Sequence, residues 1–235
     1  MTVFPETMRT PRLRYERVDD AVDAFERYEW TRSDRDGIDR ELRYVTETPD
    51  PHPKAAVDDL AAAGEAWADA DVAQWAIFLR PGEPDADGDL VDAGDRVHVG
   101  VANLDALWDR RRFHTGVGLY RPYWGRGYAG ERAPALLKVG FDVLDLGVAS
   151  VAHFEGNENS KRQMEKWVDR FGGREDGRFR NWVPRDGGDG EPWDLRSYSI
   201  TADDYRDAGS AAAVELDPET VPLPTPEPTD VEGSS

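Results

Sequence analysis

The stretch that decides the fold runs from Tyr123 to Phe141 and reads YWGRGYAGERAPALLKVGF. Within it, Gly125, Gly127 and Gly130 spell G-x-G-x-x-G. The apolar residues behind the glycines follow helical spacing: Ala129, Ala133, Leu136, Leu137, Phe141 and Leu144. The pattern predicts a glycine-rich turn from a strand into a helix, with exposed backbone N–H groups that suit a phosphate.

Three interpretations of this turn are open from its spelling alone. The first is a dinucleotide-binding domain, but such a domain carries the fingerprint after its first strand, and here it follows four predicted strands. The second is a Walker-type nucleotide loop, which needs Gly-Lys-Ser/Thr, and the chain lacks that triplet. The third is a strand-to-helix turn that holds no ligand.

Hydrophobic patterns place the turn late in a mixed chain. Strands are predicted in segments 10–17, 73–80, 96–108, 112–121, 147–156, 178–182 and 193–201, from alternating or apolar runs. Helices are predicted near 19–28, in 52–71, behind the glycine turn and in 157–173. The order is β-α-α-β-β-β-α-β-α-β-β, in which one long helix joins two strands that can lie parallel.

Acidic residues dominate the composition. The 235 residues include 48 Asp plus Glu against 29 Lys plus Arg, for a net charge of −19. Such a field repels nucleic acid and anionic membranes, so neither is expected as a partner. An ordinary acidic protein is one interpretation. The scarcity of Lys, with 4 against 30 Asp, favours adaptation to multimolar salt, where the Debye length falls to about 3 Å.

Targeting signals and cysteines are both missing from the sequence. No apolar run reaches the ~18 residues of a membrane span, and the N-terminus shows no apolar signal-peptide core, so a cytoplasmic location is expected. The lack of Cys excludes disulfides, thiolate catalysis and Cys-ligated zinc. Proline enrichment after Asp207 predicts one domain over residues 1–207 and a disordered tail over 208–235.

The glycine turn and its surroundings resemble the GNAT family of acetyl-CoA-dependent N-acetyltransferases. The family's pyrophosphate loop reads Arg/Gln-x-x-Gly-x-Gly/Ala, and residues 124–129 match it with Trp124 in the first position. Trp is a familiar variant there in a branch that resembles the ribosomal-protein (RimJ/RimL-like) acetyltransferases. Glu131 also matches the GYATEA run of that branch.

Two later motifs extend the resemblance from Thr10 to Tyr205. The predicted helix that begins near Asn157 matches the branch's N-x-x-S-x-x-x-x-E-K pattern through Ser160, Glu165 and Lys166. The segments REDGRFRNW and WDLRSYSITADDY are similar to its closing strands. No single motif is highly specific, but four in the right order are.

The resemblance implies an α/β (α+β) GNAT fold. Its central sheet would be mixed and mostly antiparallel, with six to seven strands and about four flanking helices. The strand before the glycine turn would splay from the strand after the helix, and the pantetheine arm of acetyl-CoA would lie in that gap. The implied activity is acetyl transfer to a primary amine by direct attack through a tetrahedral intermediate, with acetyl-CoA as co-substrate and no metal.

The resemblance also assigns the cofactor-binding residues. They are Trp124, Gly125, Arg126, Gly127, Tyr128, Ala129 and Gly130 in the turn, with Asn157 and Ser160 at the start of the later helix. Glycines let the backbone approach the diphosphate closely. The Arg126 side chain can either contact a phosphate or face water.

Four residues are candidates for the chemistry. A backbone N–H of Leu119 or Tyr120 would stabilise the oxyanion. His114, ten residues before Trp124, has a pKa suited to accepting the amine's proton, although a surface imidazole among arginines is the alternative. Asp105 and Glu155 are weaker candidates.

The helix that follows Asn157 lacks the tyrosine that many relatives use to protonate the thiolate. Met164 stands at that position. Ser160 carries the nearest hydroxyl, with a helix-start hydrogen bond as its alternative role. Asn157 can cap the helix, contact pantetheine, or both.

The acceptor is the least defined part of the prediction. A protein N-terminal amine is expected, with a polyamine, an aminoglycoside-type amine or a non-catalytic acyl-CoA-binding module as alternatives. The chain is expected to be a monomer or homodimer. Four residues lie where relatives build the acceptor pocket, although each can belong to the core instead: Trp30, Tyr44, His52 and Trp67.

Overall fold

One sheet of nine strands organises the part of the chain that the computed structural model describes, residues 2–44, 49–184, 191–209 and 214–216. The strands are β1 (Thr7–Arg9), β2 (Leu13–Arg17), β3 (Val72–Leu79), β4 (His98–Leu107), β5 (Arg112–Leu119), β6 (Val148–Phe154), β7 (Arg174–Val183), β8 (Trp193–Thr201) and β9 (Glu215–Leu216). Their spatial order is β7-β8-β6-β5-β4-β3-β2-β1-β9. The predicted mixed, mostly antiparallel sheet is confirmed, because only β5 and β6 run parallel among these strands.

Seven α-helices flank the sheet in the described residues. They are α1 (Val18–Ala21), α2 (Ala24–Thr31), α3 (Ile38–Glu41), α4 (Pro53–Ala68), α5 (Tyr128–Lys138), α6 (Glu158–Arg170) and α7 (Ala202–Asp207). The single helix expected near residues 19–28 is two helices. Asp23 caps the second one, because its carboxylate accepts the amides of Phe25 and Glu26 at 2.8 and 2.9 Å.

The parallel pair β5 and β6 parts along its length. Arg112 pairs with Val148, Phe113 with Ala149 and His114 with Ser150, and the pairing ends there. The remaining half of β5 stays paired with β4 on its other side as far as Leu119. The predicted splay is therefore present, with an open wedge between the C-terminal halves of the two strands.

Close packing between β5 and the helical segment that begins with α5 holds the closed end of this wedge, where β5 and β6 are still paired. The helix carries Pro134 in its interior and continues as a π-helical turn over residues 139–143. A Cβ atom added at Gly140 in this turn would lie 2.2 Å from the ring of Phe113, so only glycine permits the approach. Helix and strand thus meet tightly just where β5 and β6 are still paired.

Two hydrophobic cores pack against the sheet, and alternate residues of β3 belong to one or the other. The larger one contains residues of α5 and α6 such as Leu136 and Trp167. A smaller one joins α1 and α4 to β3 through Val18, Leu60 and Phe78. Among the described helices, none is long and apolar enough to cross a membrane.

The C-terminal region differs in part from the sequence prediction. Helix α7 ends at Asp207, where the sequence prediction ends the domain, but β9 pairs antiparallel with β1 inside the segment expected to be disordered. Val214, just before β9, is buried. Residues 185–190, 210–213 and 217–235 lie outside the described residues.

Candidate functional site

The glycine turn presents a row of unpaired amide groups at the start of α5. Gly125 and Gly127 have φ angles of 78° and 83°, in the left-handed region that favours glycine, and Gly127 is the N-cap. Among the described residues, the backbone N–H groups from Gly125 to Ala129 have no protein acceptor. Such amides, together with the positive end of the helix dipole, suit an anion, and anion binding by this turn stays a prediction.

Glu131 ties this turn to the connection between β1 and β2. Its carboxylate accepts the Thr10 hydroxyl at 2.6 Å and the Arg12 amide at 2.8 Å. The Arg12 guanidinium donates to it from Nε at 2.6 Å and to the Arg126 carbonyl from Nη1 at 2.9 Å. Sequence reasoning missed Arg12, because a contact between residues more than a hundred positions apart leaves no local pattern.

The Arg126 side chain lies against the β3–β4 connection. Its Nη1 donates to the carbonyl oxygens of Pro84 and Asp85 at 2.7 and 2.8 Å, and its guanidinium stacks on the Tyr123 ring at 5.3 Å. These contacts brace the turn from outside. A direct phosphate contact by this side chain stays a prediction.

Trp124 stands where the loop pattern has Arg or Gln, and its indole takes the place of their side-chain donor. Its indole Nε1 donates to the carbonyl oxygen of Leu119. Arg, Gln and Trp all carry a side-chain N–H donor, so Trp124 supplies the same kind of group at this position. The bond fixes the turn against the last residue of β5.

The backbone of β5 alternates between β4 and the wedge. The Tyr120 amide donates to the Val99 carbonyl at 2.9 Å, so the Leu119–Gly100 pair is a non-hydrogen-bonded pair of the ladder. The Leu119 N–H therefore points away from β4 and into the wedge. Of the two candidate donors, the geometry favours Leu119, because the Tyr120 amide is already engaged.

The same alternation places a second amide in the wedge. Val117 lies two residues before Leu119, opposite Ala102, and its N–H points to the same side. Sequence reasoning did not name Val117, since the orientation of a backbone amide follows from the register and not from the residue type.

His114 sits where β5 and β6 part, on the sheet face opposite Phe113. It pairs with Asp105 of β4 on one side and with Ser150 of β6 on the other. Partial burial lowers the pKa of His114, Asp105 opposes the shift, and Arg112 and Arg110 add to it. The imidazole is therefore neutral at pH 7 and able to accept a proton.

The two weaker carboxylate candidates differ in their surroundings. Asp105 accepts Asn103 Nδ2 at 2.8 Å through one oxygen, and among the described residues its other oxygen has no partner. Glu155 forms ion pairs with Arg178 at 2.6 Å and with Arg196 at 3.6 Å. Asp105 adjoins His114, whereas Glu155 is held by two arginines.

The start of α6 confirms the predicted cap. The Asn157 side-chain oxygen accepts the Ser160 amide at 3.1 Å. The Ser160 hydroxyl is partly exposed and has no partner among the described residues. Met164 is buried in the core, so no side chain of the usual proton-donating type stands at its position.

The four aromatic and imidazole candidates of the N-terminal region separate into two groups. Trp30 stacks on Tyr120 with ring centroids 4.0 Å apart, and the Tyr44 hydroxyl donates to the Gly156 carbonyl at 3.0 Å. Both flank the open end of the wedge. Trp67 belongs to the core, and His52 lies exposed at the start of α4.

These parts suit a long, thin ligand with an anionic end. The amide row of the glycine turn fits a phosphate, and open space surrounds Gly125, where nothing lies within 4 Å of an added Cβ. The wedge offers backbone donors along β5, and His114 stands near its closed end. The residues present thus fit a phosphorylated cofactor with a linear arm.

The sequence matches the protein-family model described as Acetyltransferase (GNAT) domain over residues 12–167, more than half of the chain. A comparison with curated protein sequences found no match.

Solved structures share the fold at low sequence identity. A Mycobacterium smegmatis RimJ in complex with CoA-disulfide has a TM-score of 0.66 at 15% identity, covering 92% of this chain and 99% of that one. A GCN5-related N-acetyltransferase from Brucella melitensis has a TM-score of 0.64 at 18% identity, covering 88% and 86%. A spermidine N-acetyltransferase SpeG chimera from Vibrio cholerae and hSSAT has a TM-score of 0.59 at 15% identity, covering 83% and 98%.

Proposed function

Since the chain belongs to the GNAT acetyltransferase family and is an acetyl-CoA-dependent N-acetyltransferase, we propose that its acceptor is a protein N-terminal amine. The observation that carries the catalytic part of the proposal is the open wedge beside the glycine turn. The Trp124 indole ties the turn that carries the amides of Gly125 to Ala129 to the Leu119 carbonyl, and the Leu119 N–H points into the wedge.

The cofactor residues follow from that placement. The amides of the glycine turn would hold the diphosphate, and the Gly125, Gly127 and Gly130 positions keep side chains out of its way. When bound, acetyl-CoA supplies the activated acetyl group. Asn157 and Ser160, at the start of α6, are proposed to contact its pantetheine arm. That the reaction needs no metal ion stays a prediction.

The Leu119 amide is the proposed oxyanion donor. It donates into the wedge, where the thioester carbonyl would lie, and it is already oriented by the β4–β5 ladder. Donors fixed before the reaction stabilise developing negative charge without reorganisation, an effect of about 3–4 kcal/mol for one hydrogen bond.

His114 is the proposed proton acceptor. Its lowered pKa keeps the imidazole neutral at pH 7. It lies five positions before Leu119, or about 16 Å along an extended strand, so we propose that a chain of several water molecules carries the proton between them. Asp105, across the ladder, would stabilise the imidazolium that results.

Ser160 is the proposed proton donor to the departing thiolate. Its hydroxyl has no competing partner among the described residues, and Met164 cannot serve. The Gly130 backbone approaches Gln163 of α6, where an added Cβ would lie 3.0 Å from Oε1, so the two helices meet beside the cofactor turn.

The choice of acceptor rests on the branch that the chain resembles. The similar structures include a RimJ protein and a spermidine acetyltransferase chimera, each at 15% identity. A small amine such as a polyamine is therefore the second candidate acceptor. A non-catalytic acyl-CoA-binding module is the third candidate function, because the proton donor common in relatives is missing.

The test is release of CoA thiol from acetyl-CoA in the presence of a panel of acceptors. The panel contains peptides with free N-termini, the same peptides with blocked N-termini, and spermidine. We expect release with the free peptides alone. Release with spermidine alone would favour the small-amine acceptor, and CoA binding without release from any acceptor would favour the non-catalytic module.

Further properties complete the proposal. We propose a single catalytic domain over residues 1–207, a location in the cytoplasm, and a monomer or homodimer. The net charge of −19 and the scarcity of Lys support adaptation to high salt.

A further inference from the structure

We propose that Arg12 is a direct ligand of the coenzyme A diphosphate, and that it also holds the glycine turn in its binding shape. The inference rests on the proposed function for the identity of the ligand. It concerns a residue that lies far from the glycine loop in sequence, at the connection between β1 and β2.

The first support is the way the Arg12 guanidinium is fixed. Nε donates to Glu131 Oε2 at 2.6 Å, in the first turn of α5, and Nη1 donates to the Arg126 carbonyl at 2.9 Å. The guanidinium also stacks on the Tyr128 ring at 4.7 Å. It is therefore anchored on both sides of Gly127 and cannot swing away from the turn.

The second support is the donor that remains. Among the described residues, Arg12 Nη2 has no acceptor, and it lies 3.5 Å from the position that a Cβ would take at Gly127. The unpaired amides of the turn stand at the same place. A planar guanidinium offers two N–H bonds from one nitrogen, which suits the oxygens of a phosphate.

The third support is the charge around the turn. Glu83 accepts the Tyr128 hydroxyl at 3.1 Å, and Asp85 lies in the same connection. Arg126 already donates to two carbonyls of that connection. In a chain with a net charge of −19, a positive charge near the turn favours binding of an anionic ligand. The guanidinium of Arg12 supplies that charge.

A purely structural role would be different in one measurable respect. If Arg12 only shapes the turn, its loss weakens diphosphate binding through the uncharged amides, and the ratio of Kd between R12Q and R9Q is the same at low and high salt. If Arg12 binds the diphosphate, its loss removes an ion pair, so this ratio is largest at low salt and shrinks as salt screens the charges. In both cases ligands without the diphosphate are spared.

The experiment compares R12Q, R12K and the control R9Q. Arg9 is exposed and, among the described residues, makes no side-chain hydrogen bond or ion pair, so R9Q removes the same charge nearby without touching the turn. Calorimetry measures the Kd of CoA and of dephospho-CoA at about 0.1 M and at about 1 M salt. Kinetics measure kcat/KM with acetyl-CoA and with acetyl-pantetheine, which lacks the phosphates.

We expect R12Q to raise the Kd of both CoA and dephospho-CoA by roughly 10- to 100-fold, the range of a charge-assisted hydrogen bond. The kcat/KM for acetyl-CoA should fall by a similar factor, while that for acetyl-pantetheine stays near wild type. The Kd of CoA in R12K should lie between those of the wild type and R12Q, because the lysine ammonium keeps the positive charge but lacks the paired N–H donors of the guanidinium. R9Q should bind CoA like the wild type.

Several results would overturn the assignment. They are an unchanged Kd for CoA in both Arg12 variants, an equal loss with acetyl-pantetheine, or a loss with CoA that is absent with dephospho-CoA, which would move the contact to the 3′-phosphate. A ratio of Kd between R12Q and R9Q that is the same at both salt concentrations would reduce Arg12 to a residue that shapes the turn. If R12Q does not fold, R12K decides by the same comparison. Arg12-dependent CoA binding without acetyl transfer would reject the proposed function alone, and transfer with Arg12-independent binding would reject this inference alone.

Discussion

The Leu119 amide gives the sharpest residue-level prediction. Leu119→Pro removes the N–H that points into the wedge and breaks no ladder bond, because that N–H does not pair with β4. We expect kcat to fall by about 10²–10³-fold while calorimetry still detects CoA binding.

Leu119→Ala is the matched comparison, since it shortens the side chain and keeps the donor. The loss of kcat should be much larger in L119P than in L119A. Equal effects of the two substitutions would show that the amide is not the donor.

His114 gives a pH prediction whose sign follows from its lowered pKa. If the neutral imidazole accepts the proton, wild-type kcat/KM should rise with pH through a value below the ordinary 6.5. His114→Gln should remove this acidic limb of the profile. His52→Gln, at the exposed start of α4, should leave it in place. An unchanged limb in H114Q would assign the proton transfer elsewhere.

The same shift has a consequence for stability. The folded state holds the His114 proton less tightly than the unfolded chain does. The unfolded state therefore binds more protons as the pH falls below about 6.5, and the free energy of unfolding decreases. Urea titrations at pH 7.5 and 5.5 should show that H114Q loses less stability over this interval than the wild type. An equal loss in both proteins would contradict the shift.

Sequence reasoning located residues through patterns and missed those that act through contacts. The glycines and the Asn157 cap follow from local spelling, and both have the predicted conformation. Arg12 and the amide of Val117 carry no local signal. The contact of Arg12 joins distant segments, and the orientation of Val117 depends on the register of two strands.

At the scale of elements, the β4–β5 pair depends on Gly100. Its φ angle is 154°, and an added Cβ would lie 2.1 Å from the Gly118 carbonyl oxygen. Gly100→Ala should push the end of β5 away from β4 and lower the free energy of unfolding by about 1–3 kcal/mol. Thermal unfolding followed by circular dichroism measures the change.

Gly118→Ala is the control for that prediction. Nothing lies within 4 Å of an added Cβ at Gly118, on the neighbouring strand, so its Tm should stay close to wild type. If both substitutions lowered the Tm equally, the close approach at Gly100 would not be the cause.

The elements themselves were predictable where their patterns were long. The glycine-turn helix, α4, α6 and the strands from β3 to β8 lie where the sequence places them. Strands β1 and β9 have three and two residues, too few for alternation to show. Helix α7 was missed as well, although Thr201 and Asp204 form a capping box that a search for that motif would have found.

At the scale of the whole molecule, the net charge of −19 opposes an anionic cofactor. Raising the ionic strength from about 0.1 M to 1 M shortens the Debye length from about 10 Å to 3 Å and screens this repulsion. The KM for acetyl-CoA should fall with added salt, by roughly tenfold if steering dominates. The KM for acetyl-pantetheine, which lacks the phosphates, should change little, and a KM for acetyl-CoA that rises with salt would contradict the prediction.

The parting of β5 from β6 also leaves a signature in the exchange of backbone hydrogens. The Gly118 amide donates to β4, while the amides of its neighbours Val117 and Leu119 face the wedge. Hydrogen–deuterium exchange should therefore be fast at Val117 and Leu119 and slow at Gly118. Coenzyme A bound in the wedge would slow exchange at both of these amides. Three adjacent amides would thus report, by mass spectrometry or NMR, whether the enzyme is loaded.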